Sequence, residues 1–329
     1  RLVELFTDGV PTVCMSLYLS PHTLCVAEAV RIAQSTGLPV RLATIAEAVG
    51  SDVTNVVRAA VADDRFGAAA QVLSSYLSQD VPVAVSAYTR DVVIEEAAAI
   101  DARHGTDFAE QCRRRISISY PAIDTSSWLA LDPAETERVL ARHGLTAGRY
   151  VLSLSRLMPA KGIDDLIEGF SSAMSTEGLD LAIVGRGPSE ADLRAVAAGS
   201  PAASRIHFLT DVSDAEKPHI MSASAAYVLA TKPTEQFVET FGITLVESML
   251  AGGGPVITTD CGGTLEAVGD TAIIVEAGSS AAIATALDEA LSYSPAELAA
   301  HVVRARAYAM RFDRLTVFDH LFERVLQPA

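Results

Sequence analysis

Lysine is nearly absent: the 329 residues contain only Lys161, Lys217 and Lys232, so 22 of the 25 basic side chains are arginine. Set against 41 acidic side chains, these leave a net charge of −16. Such a field repels phosphate backbones and anionic lipid, which argues against nucleic acid as a partner and against stable membrane association. Cysteine is scarce as well. Cys14, Cys25, Cys112 and Cys261 show neither paired nor metal-ligand spacing, which excludes a disulfide scaffold and fits small buried thiols in a reducing cytoplasm. No apolar run reaches the about 18 residues that span a bilayer, the best stretch being broken at Pro21 and His22. The chain therefore reads as soluble and cytoplasmic. It has no internal repeat and no low-complexity tract. No secretion signal follows Arg1, and a chain that opens on arginine reads as one whose native N-terminus is in part missing.

Half of the residues are hydrophobic and 20% are charged, inside the globular range. The length suits two domains of about 150 residues each. From Tyr150 onward, short apolar runs alternate with helical periodicity, the signal of successive βαβ units and a parallel sheet. Strands are expected at 151–155, 179–184, 206–209, 226–230, 255–258 and 272–275, and helices at 189–198, 214–222, 242–251 and 281–291. Ile163, Leu166, Ile167, Phe170 and Met174 recur at three- and four-residue spacing, one apolar helical stripe. A less regular α/β unit precedes this half, with strands expected at 13–19, 40–45, 81–86 and 116–120. At the joint a short helix opens with Asp132 as N-cap and Pro133 in its first turn, and Gly144 lies just past its end. Finally Leu315, Phe318, Leu321, Phe322 and Val325 make an amphipathic helix whose apolar face needs a surface, the first domain being the nearest. The expected fold class is α/β: two Rossmann-like domains, 1–128 and 129–310, facing a cleft, with a helix at 311–329 packing back on the first domain.

Open parallel sheets bind ligands beyond the carboxyl ends of their strands. After the strand at 151–155, the run Arg156-Leu157-Met158-Pro159-Ala160-Lys161-Gly162 places a guanidinium and an ammonium five residues apart at the mouth of a helix, as a diphosphate clamp requires. In Glu239-Thr240-Phe241-Gly242-Ile243-Thr244-Leu245-Val246-Glu247 two carboxylates are separated by seven residues. A helix starting near Gly242 leaves Glu239 in the preceding loop and puts Glu247 one turn past Ile243. One carboxylate can then receive sugar hydroxyls and the other ribose hydroxyls, while the first helical amides hold phosphate. Val184-Gly185-Arg186-Gly187-Pro188 allows close backbone approach, yet Pro188 and the lack of a third glycine separate it from a dinucleotide fingerprint.

Together with Gly254-Pro255-Val256-Ile257 and Gly262-Gly263-Thr264-Leu265-Glu266-Ala267-Val268, these motifs resemble the retaining nucleotide-sugar glycosyltransferases of family four, which have the GT-B fold. The resemblance covers about residues 150–290, and Tyr88-Thr89-Arg90 and Tyr120-Pro121-Ala122-Ile123-Asp124 extend it into the first half. It implies a donor nucleotide sugar in the second domain and an acceptor in the first. It also implies that Arg156 and Lys161 bind the diphosphate and stabilise the leaving group, and that Glu239 sits by the donor sugar. By the same resemblance the amides of Phe241, Gly242 and Ile243 lie near the sugar hydroxyls or phosphates, Glu247 takes the ribose, and Leu209-Thr210-Asp211 borders the base. Gly185 and Gly187 join the donor-binding set. Neither a cofactor nor a divalent metal is implied, because two cations and a helix terminus stand in for the ion.

Two departures from the family pattern bear on the acceptor side and a third on the sugar pocket. The first domain is short and carries no visible glycine-rich loop, the expectation for an incomplete domain. No histidine follows the strand at 40–45, which runs into Ala46-Glu47, and His22 is the candidate stand-in near the acceptor. Lys232 to Val238 lengthens the loop before Glu239. Residues 1–130 hold 10 Arg, no Lys and 15 Asp or Glu, a net of −5, with only Arg113-Arg114-Arg115 clustered. That balance is not the basic face of an enzyme working on membrane-bound acceptors. A small soluble acceptor in specialised-metabolite biosynthesis is expected instead. Two other readings stand beside this one: a catalytically silent partner of another enzyme, and a nucleotide-sugar epimerase or hydrolase on the same scaffold.

Overall fold

The computed structural model describes residues 1–50, 53–235 and 237–326. Gln236 in the lengthened loop and residues 327–329 of the expected C-terminal helix lie outside the described residues. The chain divides into two compact units, one formed by Arg1–Pro121 with Leu315–Ala329 and the other by Ala122–Arg314.

The first unit is built on four parallel strands in the order β1-β2-β3-β4: β1 (Thr12–Leu17), β2 (Leu42–Ala48), β3 (Val81–Ala84) and β4 (Ser117–Ile118). Strand β2 starts later than expected and continues through Ala46-Glu47-Ala48, because Glu47 pairs in register with Leu17 and Ala48 with Ala84. Alternation across the pleat divides the core in two. Ala46, Ala48 and Ala84 pack with Leu73, Tyr76 and Val93 on one face. On the other, Ile45, Val81 and Val83 pack with Leu321 and Val325 of the C-terminal helix Arg314–Leu326. The rest of that helix's expected apolar face is not buried. Leu315, Phe318 and Phe322 stay exposed, as do Val13, Met15 and Leu17 on the edge strand.

The second unit holds six parallel strands: β5 (Tyr150–Leu154), β6 (Asp180–Val184), β7 (Ile206–Leu209), β8 (Ala226–Leu229), β9 (Val256–Thr259) and β10 (Ala272–Val275). Their order, β10-β9-β8-β5-β6-β7, is the doubly wound one. The chain runs outward from β5 to β7, crosses back, and runs outward again from β8 to β10, so the strand order reverses between β5 and β8. Both strands are buried along their whole length, as parallel strands covered on two faces must be. Ile163, Leu166, Ile167 and Phe170 bury one stripe of the helix Ile163–Ser172 against the sheet and against Ile283 and Leu287. Met174 is not part of that stripe: the helix stops at Ser172 and Met174 is 86% exposed. At the joint, the Asp132 side chain accepts from the Ala134 amide at 3.0 Å and caps the helix Pro133–Arg142. Cys112 and Cys261 are buried, whereas Cys25 is exposed and Cys14 half-buried, contrary to the expectation of four buried thiols.

Candidate active site

A cavity of about 540 Å³ opens at the carboxyl ends of β5, β6 and β7. Ser155 and Arg156 follow β5 into it, Gly185 and Arg186 follow β6, and Leu209, Thr210 and Asp211 follow β7. Lys217 and Thr244 close the side toward β8. Arg156 is exposed and has no ion-pair partner among the described residues. Arg186 donates from Nε to the Thr210 carbonyl, tying two of the rim loops together.

Two glycines of the β6 loop are required by backbone crowding. Gly185 has φ 139° and a Cβ there would stand 2.0 Å from the Ser155 carbonyl oxygen. A Cβ on Gly187 would meet the Leu157 carbonyl oxygen at 2.1 Å. Gly187 does not line the cavity, so its place in the sequence follows from packing, while Gly185 both packs and lines.

The Lys161 turn lies on the other side of β5. Gly162, with φ 61°, lets the turn Pro159–Lys161 press against Ala230 at the end of β8, and a Cβ on it would lie 1.9 Å from the Ala230 carbonyl oxygen. The carbonyl of Ala160 accepts from the Lys232 amide and the Thr231 hydroxyl, each at 2.9 Å, which binds this turn to the loop leading to Glu239. Lys161 Nζ forms an ion pair with Glu239 Oε2, and the two side chains are only 12% and 11% exposed. The Glu239 carbonyl is fixed from behind by the Gly263 amide at 2.9 Å. Lys161 and Glu239, 78 residues apart in sequence, are thus joined.

The helix Ile243–Ala251 begins at Gly242, whose φ of 86° turns the chain into it. Phe241 is buried with its ring edge-on to Phe312 at 5.1 Å, so its side chain anchors the turn in the core. The Leu245 amide bonds back to Gly242 O at 2.9 Å, leaving the amides of Ile243 and Thr244 without an intrahelical acceptor. One turn on, burial pushes the Glu247 carboxyl up to about 7, with Asp214 adding to the rise and Lys217 opposing it. Beneath, the Tyr227 hydroxyl donates to the Leu154 carbonyl at 3.0 Å and fixes β8 to the end of β5.

The spacing of motifs did not single out Asp214 and Lys217. Lys217 Nζ lies 2.6 Å from Asp214 Oδ1, and both line the cavity. Their loop is held by Glu216, whose Oε2 accepts from the Ser213 amide and hydroxyl at 2.9 and 2.7 Å while Arg142 reaches Oε1 at 2.7 Å. The bonds from Ser213 and the charge of Arg142 hold the Glu216 carboxyl down to about 2. Asp211 faces Arg142 and His143 at 3.7 and 3.8 Å. The one available signal was the Asp-x-x-Lys spacing at a helix start, which an ordinary solvated first turn shares. His22 belongs to the first unit, in the turn after β1, where Nδ1 contacts the Leu17 carbonyl and the ring lies 6.0 Å from Tyr18. Among the described residues no group of three or more His, Cys, Asp or Glu could hold a metal ion, and no helix is long and apolar enough to cross a membrane.

Residues 137–307 match the family model of the glycosyl transferases group 1. A GDP-mannose-dependent alpha-(1-6)-phosphatidylinositol monomannoside mannosyltransferase of Mycobacterium tuberculosis is 31% identical over 244 residues, which make up 69% of this chain and 62% of that protein. The mannosylfructose-phosphate synthase of Agrobacterium fabrum is 29% identical over 202 residues, 59% of this chain and 40% of that one. This chain thus spans less than two thirds of the length of these relatives. Among solved structures, that of Anabaena Alr3699/HepE in complex with UDP-glucose superposes with a TM-score of 0.69 at 20% identity, over 92% of this chain and 76% of that one. This likeness and the two parallel sheets identify the fold as GT-B.

Proposed function

The chain belongs to the glycosyl transferases group 1 family, and on that premise we propose that it transfers a sugar from a nucleoside-diphosphate sugar to an acceptor with retention of anomeric configuration and without a divalent metal. The observation that carries this is the convergence, at one end of one sheet, of Arg156, Lys161, the unsatisfied amides of Ile243 and Thr244, and Glu247. Cations and helix amides there can stabilise the charge that grows on a departing diphosphate. Glu247, ionised, accepts from the two ribose hydroxyls. Glu239, tied to Lys161, stands where it can accept a sugar hydroxyl. Since Glu239 is already neutralised by Lys161, a donor phosphate oxygen is the better base for the acceptor proton, and attack on the departing side retains configuration.

The base end supports a purine with a mixed edge. Asp214 can accept two N–H groups and Lys217 can donate to a carbonyl oxygen, the complement of guanine, and the mycobacterial relative is named as GDP-mannose-dependent. We therefore take GDP-mannose as the donor. A thermal-shift panel of GDP-, UDP-, ADP- and dTDP-sugars tests this, with the largest rise expected for the guanosine donor, since a ligand stabilises by mass action. A flat response to all four overturns the reading and favours a silent partner protein. For the acceptor we hold to a small soluble molecule in specialised-metabolite biosynthesis, cytoplasmic in setting, supported by the acidic first half. The name of the mycobacterial relative favours a phosphatidylinositol mannoside instead. Product formation with a panel of small soluble acceptors against that lipid in detergent decides between the two.

A further inference from the structure

Resting on the donor-site reading above, we propose that Phe237 is a positioning residue for Lys161, holding the ammonium dry and oriented toward the diphosphate. Its ring sits 4.7 Å from Lys161 Nζ. The residue belongs to the lengthened loop, and the loop is built to keep it there. The Phe237 amide donates to Thr234 Oγ1 at 3.1 Å and the Thr234 amide donates to the Phe237 carbonyl at 2.9 Å, closing a tight turn. At the base of that turn, Lys232 is anchored by Asp164 and Asp165 at 2.9 and 2.7 Å, and its amide bonds to Ala160, the residue beside Lys161. The ring is thereby carried to the clamp by contacts at both ends of the loop.

An ammonium has three hydrogens and no acceptor. Glu239 takes one. A second carboxylate would take another and leave the site net negative, whereas an aromatic face attracts the cation through its quadrupole and occupies no hydrogen. A ring at this position therefore excludes water from one side of Lys161 and leaves hydrogens free for the phosphates. In such a shielded place the charge acts on a diphosphate with little screening.

With only three lysines in the chain, the test is direct. Protein labelled with ¹³C at lysine Cε gives three resonances, and Lys161→Ala identifies the one at issue. The ring should displace that resonance upfield. Phe237→Tyr should preserve the displacement and Phe237→Leu should abolish it. In the same samples, titration with GDP and with GDP-mannose should show Phe237→Leu weakening affinity by about three- to thirtyfold and Phe237→Tyr remaining within about twofold of the parent. A Lys161 resonance unmoved by Phe237→Leu, or equal affinities for Leu and the parent while Lys161→Ala binds poorly, overturns the role of Phe237 and leaves the donor site standing. Unweakened binding by Lys161→Ala overturns the donor-site reading itself. Loss of affinity in Tyr and Leu alike marks the residue as loop packing only and also refutes the proposal.

Discussion

Glu247 is held at a cost to the ligand-free protein, and that cost can be measured. The carboxyl ionises near 4.5 in an unstructured chain and is pushed up to about 7 in the fold, chiefly because it is buried there. Between those values the folded state carries more protons than the unfolded one, so the stability contribution is whole below pH 4.5 and is lost as the pH rises through 7. At about 1.4 kcal/mol for each pH unit, the ionised side chain costs the fold up to ~3 kcal/mol above neutrality. Glu247→Gln removes the charge and keeps the shape. Urea unfolding near pH 8 should find the variant more stable than the parent by up to ~3 kcal/mol, and near pH 5 the advantage should shrink to a fraction of that. Donor binding should move the opposite way. The parent's affinity for GDP-mannose should rise as the pH is taken through 7 and the carboxylate forms, while the glutamine variant binds weakly at every pH. A stability difference that is the same near pH 5 and near pH 8 would refute the assignment of burial as the cause. Undiminished donor affinity in the variant would refute the ribose contact.

Lys161→Ala leaves Glu239 shielded without its partner and removes a charge from the leaving group. Acceptor-independent hydrolysis of the donor should fall by about a hundredfold or more, with the circular dichroism spectrum unchanged. Chelating divalent ions with EDTA should leave the rate within error, and a large drop would mean a metal participates. Proton NMR of the product should show the donor's anomeric configuration, and an inverted product rules out same-face attack. Leu321→Ala should destabilise the first unit by about 2–4 kcal/mol in chemical denaturation by opening a hole against Ile45, Val81 and Val83, without changing nucleotide affinity.

The second unit was legible in the sequence because parallel strands buried on both faces read as plain apolar runs, and Val151, Leu152, Leu181 and Ile183 sit in such runs. Helix ends marked by chemistry were legible too, as at Asp132 and Gly242. Periodicity overran where nothing local stops it: Met174 continues the stripe of the helix Ile163–Ser172 yet lies beyond its end. In the C-terminal helix the apolar positions are real, but burial depends on which sheet residues wait opposite, and only Leu321 and Val325 find them. Of the candidate site, Arg156, Lys161, Glu239 and Glu247 were singled out by spacing. The contact of Lys161 with Glu239 and Phe237 could not, since it forms when a loop bound to Ala160 folds over a turn far away in sequence. Lys217 and Asp214 were hidden for a similar reason: only the anchoring of their loop by Glu216 sets them on the cavity wall.

The first unit is assembled from two stretches far apart in sequence, with Leu321 closing a core begun by Ile45. No single cut can release it whole. A fragment ending near Pro121 would leave Val81 and Val83 facing water, and a cut near Leu315 would take Leu321 away from the same core. Ribosomal synthesis meets the same constraint, because this core can be completed only after the six-stranded sheet of the second unit has been translated.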